Sequence, residues 1–212
     1  MKRILLVDDH ALVRKGLRSV LQEHRSDWTI GEAACADTAC VRVRSESWDL
    51  VITDIDLPGQ NGLELVKRMR REFPKIPVLV LSVHDERRYG MRSLLAGACG
   101  YINKTLPAEQ VYDAVEKILN GGRFVSQELA ESLVSVVNGE RTSAASTHDH
   151  LSDREFQIFR LLASGRTASV IARELCLSVK TVHTHRSRAL RKMGLMNNAE
   201  LTRYAFEHDL VD

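Results

Sequence analysis

Between residue 3 and residue 120 one alternation recurs five times: a short apolar run, then a longer stretch whose apolar residues return every three or four positions. The apolar runs are 3–7, 28–34, 49–53, 77–81 and 98–102; the helical stretches are 11–23, 37–46, 62–72, 86–96 and 107–120. Runs this short and this continuous read as strands buried on both faces. Parallel neighbours need a crossover between them, and a helix is the usual one. Right-handed crossovers then spread the helices over both faces. The expected fold is α/β: a doubly wound five-stranded parallel sheet, flavodoxin-like, in the order 2-1-3-4-5.

That topology gives a meaning to the residues at which the strands stop. Asp8 and Asp9 follow the first run, Asp54 the third, Ser82 ends the fourth and Lys104 follows the fifth. A lone Asp after a strand is as often the cap of the next turn as a functional group. In the 2-1-3-4-5 order, however, strands one and three are neighbours, and three carboxylates gather at the carboxyl edge, where open α/β sheets bind ligands. Two carboxylates about 4 Å apart repel by roughly 4 kcal/mol at an effective dielectric near 20. A positive partner is therefore required. An all-oxygen set suits Mg²⁺, and Lys104 is a second available cation.

At these positions the first 122 residues resemble a response-regulator receiver domain. The matching residues are Asp8-Asp9-His10, Asp54 with Pro58-Gly59 and Gly62-Leu63, Leu81-Ser82, and the run Gly97 to Lys104. The resemblance implies that Asp54 accepts a phosphoryl group from the phosphohistidine of a sensor histidine kinase. It implies Mg²⁺ held by Asp9, Asp54 and the backbone carbonyl of Asp56, with Asp8 acting largely through water. It implies Ser82 and Lys104 on the phosphoryl oxygens, and Tyr101 as a switch that fills the space Ser82 leaves. Such a receiver assists its own Mg²⁺-dependent phosphorylation and dephosphorylation without being a conventional enzyme. Val83 and the carboxylate of Asp56 depart from the family's common residues, and a slow loss of the phosphoryl group is expected from them.

Past the sheet the composition changes. Residues 126–137 fit a helix capped by Ser126, with Leu129, Leu133 and Val136 on one face. Residues 138–150 are small and polar and read as a flexible linker, its two histidines solvated. Residues 151–212 lack strand-like alternation and read as a smaller all-α domain of four helices. Ser152-Asp153-Arg154-Glu155 is a capping box opening the first, whose buried stripe includes Ile158, Leu161 and Leu162. Thr167 and Ser178 cap the next two, which are joined by a tight turn at Cys176-Leu177. Two short helices joined this way suggest a helix-turn-helix. On its second helix Val179, Val182, Leu190 and Met193 lie on one side, and Lys180, His183, Thr184, Ser187 and Arg191 on the other, flanked by Arg186 and Arg188.

Leu151-Ser152, Arg154-Glu155, Ile171-Ala172 and Ser178 through His185 resemble the LuxR/NarL-type helix-turn-helix. The likeness implies that His183, Thr184 and Ser187 face base edges of double-stranded DNA while Lys180, Arg186 and Arg188 engage phosphates. It also implies a homodimer on promoter half-sites, formed through the final helix, with RNA polymerase as a candidate partner. Cys176 stands in the turn where glycine is common. If φ is positive there, the strain is about 1 kcal/mol.

Charge alone would not have pointed to DNA. Residues 1–140 carry nineteen Lys and Arg against twenty Asp and Glu, and residues 151–212 ten against seven. The four cysteines make neither a CxxC pair nor a zinc spacing, so reduced core thiols are expected. No signal peptide and no membrane-length apolar run is present, which favours a cytoplasmic protein without membrane contact.

Together these features give a receiver over 1–122, a linker helix and flexible linker over 123–150, and a DNA-binding domain over 151–212: a transcriptional response regulator. A metal-dependent phosphatase of the haloacid-dehalogenase kind is the rival, because Asp54-x-Asp56 resembles its nucleophile motif. That motif lies on a first strand, and it would leave residues 151–212 without a purpose.

Overall fold

A computed structural model describes residues 1–137, 147–208, 210 and 211. The chain divides into two compact units, Met1–Ser135 and Val136–Asp212.

The first unit holds five strands, β1 (Arg3–Val7), β2 (Thr29–Ala33), β3 (Leu50–Thr53), β4 (Val78–Ser82) and β5 (Gly100–Asn103). All are parallel, in the order β2-β1-β3-β4-β5. Between and after them run α1 (Ala11–His24), α2 (Ala36–Ser45), α3 (Gly62–Glu72), α4 (Glu86–Ala96) and α5 (Ala108–Leu119). Alternate strand residues Ile4, Leu6, Leu50, Ile52, Leu79, Leu81 and Ile102 point to one side, where Leu21 of α1 and Val111, Ala114, Val115 and Ile118 of α5 cover them. Each large aliphatic side chain buried in this way contributes about 1.5–3 kcal/mol. The fifth strand starts two residues later than the apolar run: Ala98 and Cys99 form the approach to it, with the Cys99 N–H bonded to the Val78 carbonyl.

α1 departs from expectation. Leu12 is 83% exposed and only Leu21 is buried, so Leu12 in the first turn of α1 faces solvent. The thiols depart too: Cys40 is buried, Cys35 and Cys99 are half-buried and Cys176 is exposed.

After α5 the chain returns to the sheet. Phe124 bridges Gly100 in a parallel sense, its carbonyl accepting from the Tyr101 N–H and its N–H bonded to the Cys99 carbonyl. α6 (Gln127–Val137) begins at Ser126, whose hydroxyl accepts from the Leu129 N–H, and Leu129 is buried against Gly90 of α4.

In the second unit a 3₁₀ turn (Thr147–His150) precedes α7 (Asp153–Ala163), α8 (Ala168–Glu174), α9 (Val179–Met193) and α10 (Asn198–Glu207). Of the expected linker, residues 138–146 lie outside the described residues. Of the two linker histidines expected to be solvated, His150 is exposed, whereas His148 is half-buried. Its Nδ1 lies 3.1 Å from the Tyr204 hydroxyl and its ring stacks on Phe156. The capping box at Ser152 and Glu155 is present, with both reciprocal bonds made. Phe156, Ile158 and Phe159 form the centre of this core, each at most 1% exposed, while Leu161 is only half-buried.

Candidate functional site

The sheet ladder sets the acidic residues beside one another. Val7 of β1 pairs with Thr53 of β3, and the Asp54 N–H continues the ladder to the Val7 carbonyl, so Asp8 and Asp54 leave adjacent strands at the same level. The Asp8 N–H is held by the Ala33 carbonyl of β2. On the other flank the Lys104 N–H is bonded to the Ser82 carbonyl, which fixes the end of β5 against β4. Closing the loop after Asp54 requires Gly62. A Cβ there would lie 1.8 Å from the Asp54 carbonyl oxygen, so α3 could not begin so close to the strand end with any other residue.

Lys104 joins the cluster. Its Nζ lies 2.6 Å from Oδ2 of Asp8 and 2.6 Å from Oδ2 of Asp54, and both carboxylates are nearly inaccessible. Asp54 Oδ1 accepts from the Ile55 N–H at 2.6 Å. Burial holds the Asp54 carboxyl above its ordinary range against the lowering pull of Lys104, and the carboxylates of Asp56 and Asp8 add to the rise. Burial also lowers the Lys104 ammonium, but Asp54 and Asp8 more than offset it, so the lysine stays charged.

Asp9 lies beside this pair with its side chain 38% exposed. Asp8, Asp9, His10 and Asp54 each offer one ligand atom, all within 4.8 Å of one another. The carboxylate-rich donor set fits a hard divalent ion such as Mg²⁺. The Asp56 carboxylate, one of the two departures from the family's common residues, has its Oδ2 2.7 Å from Nε2 of His84.

Ser82 is fully buried and its hydroxyl accepts from the His84 N–H at 3.4 Å. Tyr101 is 2% exposed, more deeply placed than a half-buried strand aromatic, and its hydroxyl donates to the His84 carbonyl at 2.7 Å. Burial raises the Tyr101 phenol far above its ordinary value, so it is a hydrogen-bond donor at any physiological pH. Asn103 Nδ2 donates to the same carbonyl at 2.9 Å. His84 therefore ties the loop after β3 to β5, a role that the sequence reading did not assign. Arg14 was missed as well. Its guanidinium donates to the Asp8 carbonyl at 2.6 Å and is itself held by Glu32. An arginine one helical turn beyond an acid pair was the available signal.

In the second unit α8 and α9 meet at a turn in which Cys176 takes φ 51°, the positive φ its position suggested and the only one at a non-glycine among the described residues. Ser178 caps α9 by accepting from the Thr181 N–H. Val182, Leu190 and Met193 are buried, but Val179, the first residue of α9, is 41% exposed. Lys180, His183, Thr184, Ser187 and Arg188 are all exposed on α9. Arg186 is half-buried, with Nε donating to Asn198 Oδ1 of α10 at 2.6 Å. The Thr184 hydroxyl donates back to the Lys180 carbonyl. α9 is fixed from behind by Lys192, whose Nζ lies 2.6 Å from Glu155 Oε2, and the end of α8 by Arg154, which donates to the Leu175 carbonyl.

A doubly wound sheet with an acid pair, an acid, a hydroxyl and a lysine at successive strand ends, together with a helix-turn-helix, defines a two-component response regulator. Comparison with known proteins agrees: the response regulator receiver domain family matches residues 4–116 and the luxR family of bacterial regulatory proteins matches residues 149–205. The response regulator UvrY of Escherichia coli K12 is 33% identical over the whole chain and 97% of its own length. The response regulator GacA of Pseudomonas aeruginosa PAO1 is 34% identical, over the whole chain and 99% of its own. Among solved structures, response regulator ChrA of a heme-sensing two-component system is 32% identical with a TM-score of 0.51, covering 98% of both chains. RcsB of Salmonella enterica serovar Typhimurium, at 23% identity, a TM-score of 0.63 and coverage of 96% of this chain and 97% of its own, shares the fold. The chain belongs to the LuxR/NarL-type response regulators, transcriptional regulators that join a receiver to a LuxR-type DNA-binding domain. The phosphatase alternative is set aside by that membership. No helix among the described residues is long and apolar enough to cross a membrane.

Proposed function

We propose that Asp54 is the residue on which this regulator is phosphorylated, by the phosphohistidine of a sensor histidine kinase, and that the modification controls binding of promoter DNA by α9. The observation that carries the reading is Lys104 Nζ at 2.6 Å from both Asp8 and Asp54, with Ser82 at the neighbouring strand end. A carboxylate oxygen of Asp54 attacks phosphorus, the P–N bond to the kinase histidine breaks, and the imidazole leaves with the bonding electron pair and takes up a proton. Asp8, Asp9, Asp54 and the Asp56 backbone carbonyl would hold Mg²⁺, Asp8 largely through water, and the ion would offset the negative charge of the phosphoryl oxygens. Lys104 and Ser82 each donate to a phosphoryl oxygen.

The consequence runs through His84. A Ser82 hydroxyl turned toward phosphate gives up its bond with the His84 N–H, and the His84 carbonyl is what anchors Tyr101 and Asn103. Moving a population from 1:99 to 99:1 takes about 5.5 kcal/mol. A few charge-assisted bonds of about 1.5–3 kcal/mol each supply it.

Residues 1–122 are assigned to the receiver, 123–150 to the linker helix and linker, and 151–212 to DNA binding. In the last, His183, Thr184 and Ser187 read bases while Lys180, Arg188 and Arg186 engage phosphates, Arg186 after exchanging Asn198 for the backbone. One such helix reads few base pairs, so two copies on half-sites about one helical turn apart are expected, in the cytoplasm.

The test is incubation of the full chain with Mg²⁺ and a small acyl phosphate, followed by intact mass and footprinting on promoter DNA. One added phosphoryl group, absent from Asp54→Asn, together with tighter occupancy is the expected result. Modification elsewhere, or occupancy that responds to the donor equally in Asp54→Asn, overturns the reading.

A further inference from the structure

The side chain of His10 is unaccounted for by the reading above. It occupies the position before α1, where a side chain normally caps the helix, yet it makes no capping bond. Instead Nδ1 turns back onto the acid pair, 2.7 Å from Asp9 Oδ1 and 3.3 Å from Asp8 Oδ1. Adjacent ligand atoms of an octahedral ion with bonds of about 2.1 Å stand about 3 Å apart, and opposite ones about 4.2 Å. The two His10 distances bracket the adjacent spacing, while the group of four donors spreads over up to 4.8 Å, so its most distant pair has to close by about half an ångström around an ion. The two oxygens of Asp8 are divided, Oδ2 facing Lys104 and Oδ1 facing His10, so the lysine need not move for Oδ1 to serve an ion on the histidine side. The ring is 65% exposed, which leaves it free to turn by small amounts at little cost in packing.

We infer that His10 is a nitrogen ligand of the divalent-ion site, and that the site consequently prefers first-row transition ions such as Mn²⁺ to Mg²⁺. The inference rests on the acidic pocket proposed above and adds to it a donor of different chemistry. Mg²⁺ gains little from imidazole, whereas the affinity of a mixed nitrogen and oxygen set rises along the series Mn²⁺, Co²⁺, Ni²⁺. The dependence on His10 therefore grows in the same order.

The test uses the full chain with no phosphodonor. Mn²⁺ is added and histidine nitrogen is sought by electron spin-echo modulation in protein grown with ¹⁴N- or ¹⁵N-histidine, which separates His10 from Lys104. Calorimetric titrations with Mg²⁺, Mn²⁺ and Ni²⁺ compare wild type with His10→Phe and His10→Ala. A histidine signal is expected in wild type and is absent from both variants. Affinity is expected to fall about tenfold or more for Mn²⁺, further for Ni²⁺, and less than twofold for Mg²⁺. Ion binding without a histidine signal, or equal losses for all three ions, overturns the inference and leaves the acidic pocket standing. Failure of every ion to bind wild type overturns both.

Discussion

Lys104→Met tests the pocket because it removes one charge from between two buried carboxylates while keeping the length and apolar stem of the side chain. The ammonium is in contact with both Asp8 and Asp54, which are each 4% exposed at the side chain. At an effective dielectric near 20, each attraction across about 4 Å contributes about 4 kcal/mol, against a desolvation cost of several kcal/mol per ion. What remains without the lysine is two like charges beside each other at the same sheet edge. Removing one partner from a buried set costs about 3–5 kcal/mol, and that is the loss of unfolding free energy expected for Lys104→Met at pH 7.5 in EDTA. The loss has a defined pH dependence. Asp54 already binds its proton more tightly than an ordinary carboxyl, and removing Lys104 strengthens this, so the folded state holds more protons than the unfolded one. Stability then falls as pH rises above the ordinary carboxylate value, and the variant recovers part of its loss at pH 5.5. Urea denaturation of wild type, Lys104→Met, Asp54→Asn and the double variant gives the coupling directly. Asp54→Asn should return about 1–3 kcal/mol to the Lys104→Met background, and millimolar Mg²⁺ should stabilise Lys104→Met more than wild type. A loss below about 1 kcal/mol, or a double variant no more stable than Lys104→Met, would refute the charge accounting.

Cys176→Gly relieves a left-handed backbone position at an exposed side chain. About 1–2 kcal/mol of strain is removed and about 0.5–1 kcal/mol is returned through the looser unfolded chain. The second unit should melt a few degrees higher, followed by calorimetry of the full chain; an unchanged or lower transition contradicts the strain. Glu155 is raised by burial but lowered more by Lys192 and Ser152, leaving it below the ordinary carboxylate value. Its contribution is present above that value and disappears as pH falls through the lowered one. Glu155→Gln should cost about 1.5–3 kcal/mol at pH 7 and flatten the acid limb of the second unit's stability curve, which circular dichroism would follow. Lys180→Ala should weaken binding to all DNA alike and reduce the salt slope of log affinity by about 0.9, whereas a base-reading change at His183 should alter sequence preference at an unchanged slope. Equal slopes for wild type and Lys180→Ala in fluorescence anisotropy would remove Lys180 from the phosphate contacts.

The parts of this molecule legible in the sequence share one physical origin. A parallel strand buried on both faces must be a continuous apolar run, so its ends are marked by the first polar residue; Asp8 was readable because it is that residue, and Asp54 and Lys104 because each directly follows it, behind Thr53 and Asn103. Ser82, the last residue of its strand, was readable by the same rule. Ser152, Thr167 and Ser178 were readable for a related reason, since a helix start leaves N–H groups that a short hydroxyl side chain satisfies. What escaped was decided across elements. Leu12 has the spacing of a core residue and none of the burial, because nothing local records that α1 shows its first turn to solvent.

Asp153, Arg154 and Glu155 were read only as part of a capping box, yet they and Gln157 are all buried. Arg154 reaches the Leu175 carbonyl at the end of α8, and Glu155 reaches Lys192 on α9. Their partners lie 21 and 37 residues away, beyond any local period. The same holds for His10, named in a motif without a role, and for His84, two residues past Ser82: only the folded geometry turned one toward the acid pair and the other toward Asp56. Sequence period therefore finds groups whose role follows from where their own strand or helix stops. Groups whose role is to join two elements carry no period, and in this chain those are the residues that hold the pocket and α9 in position.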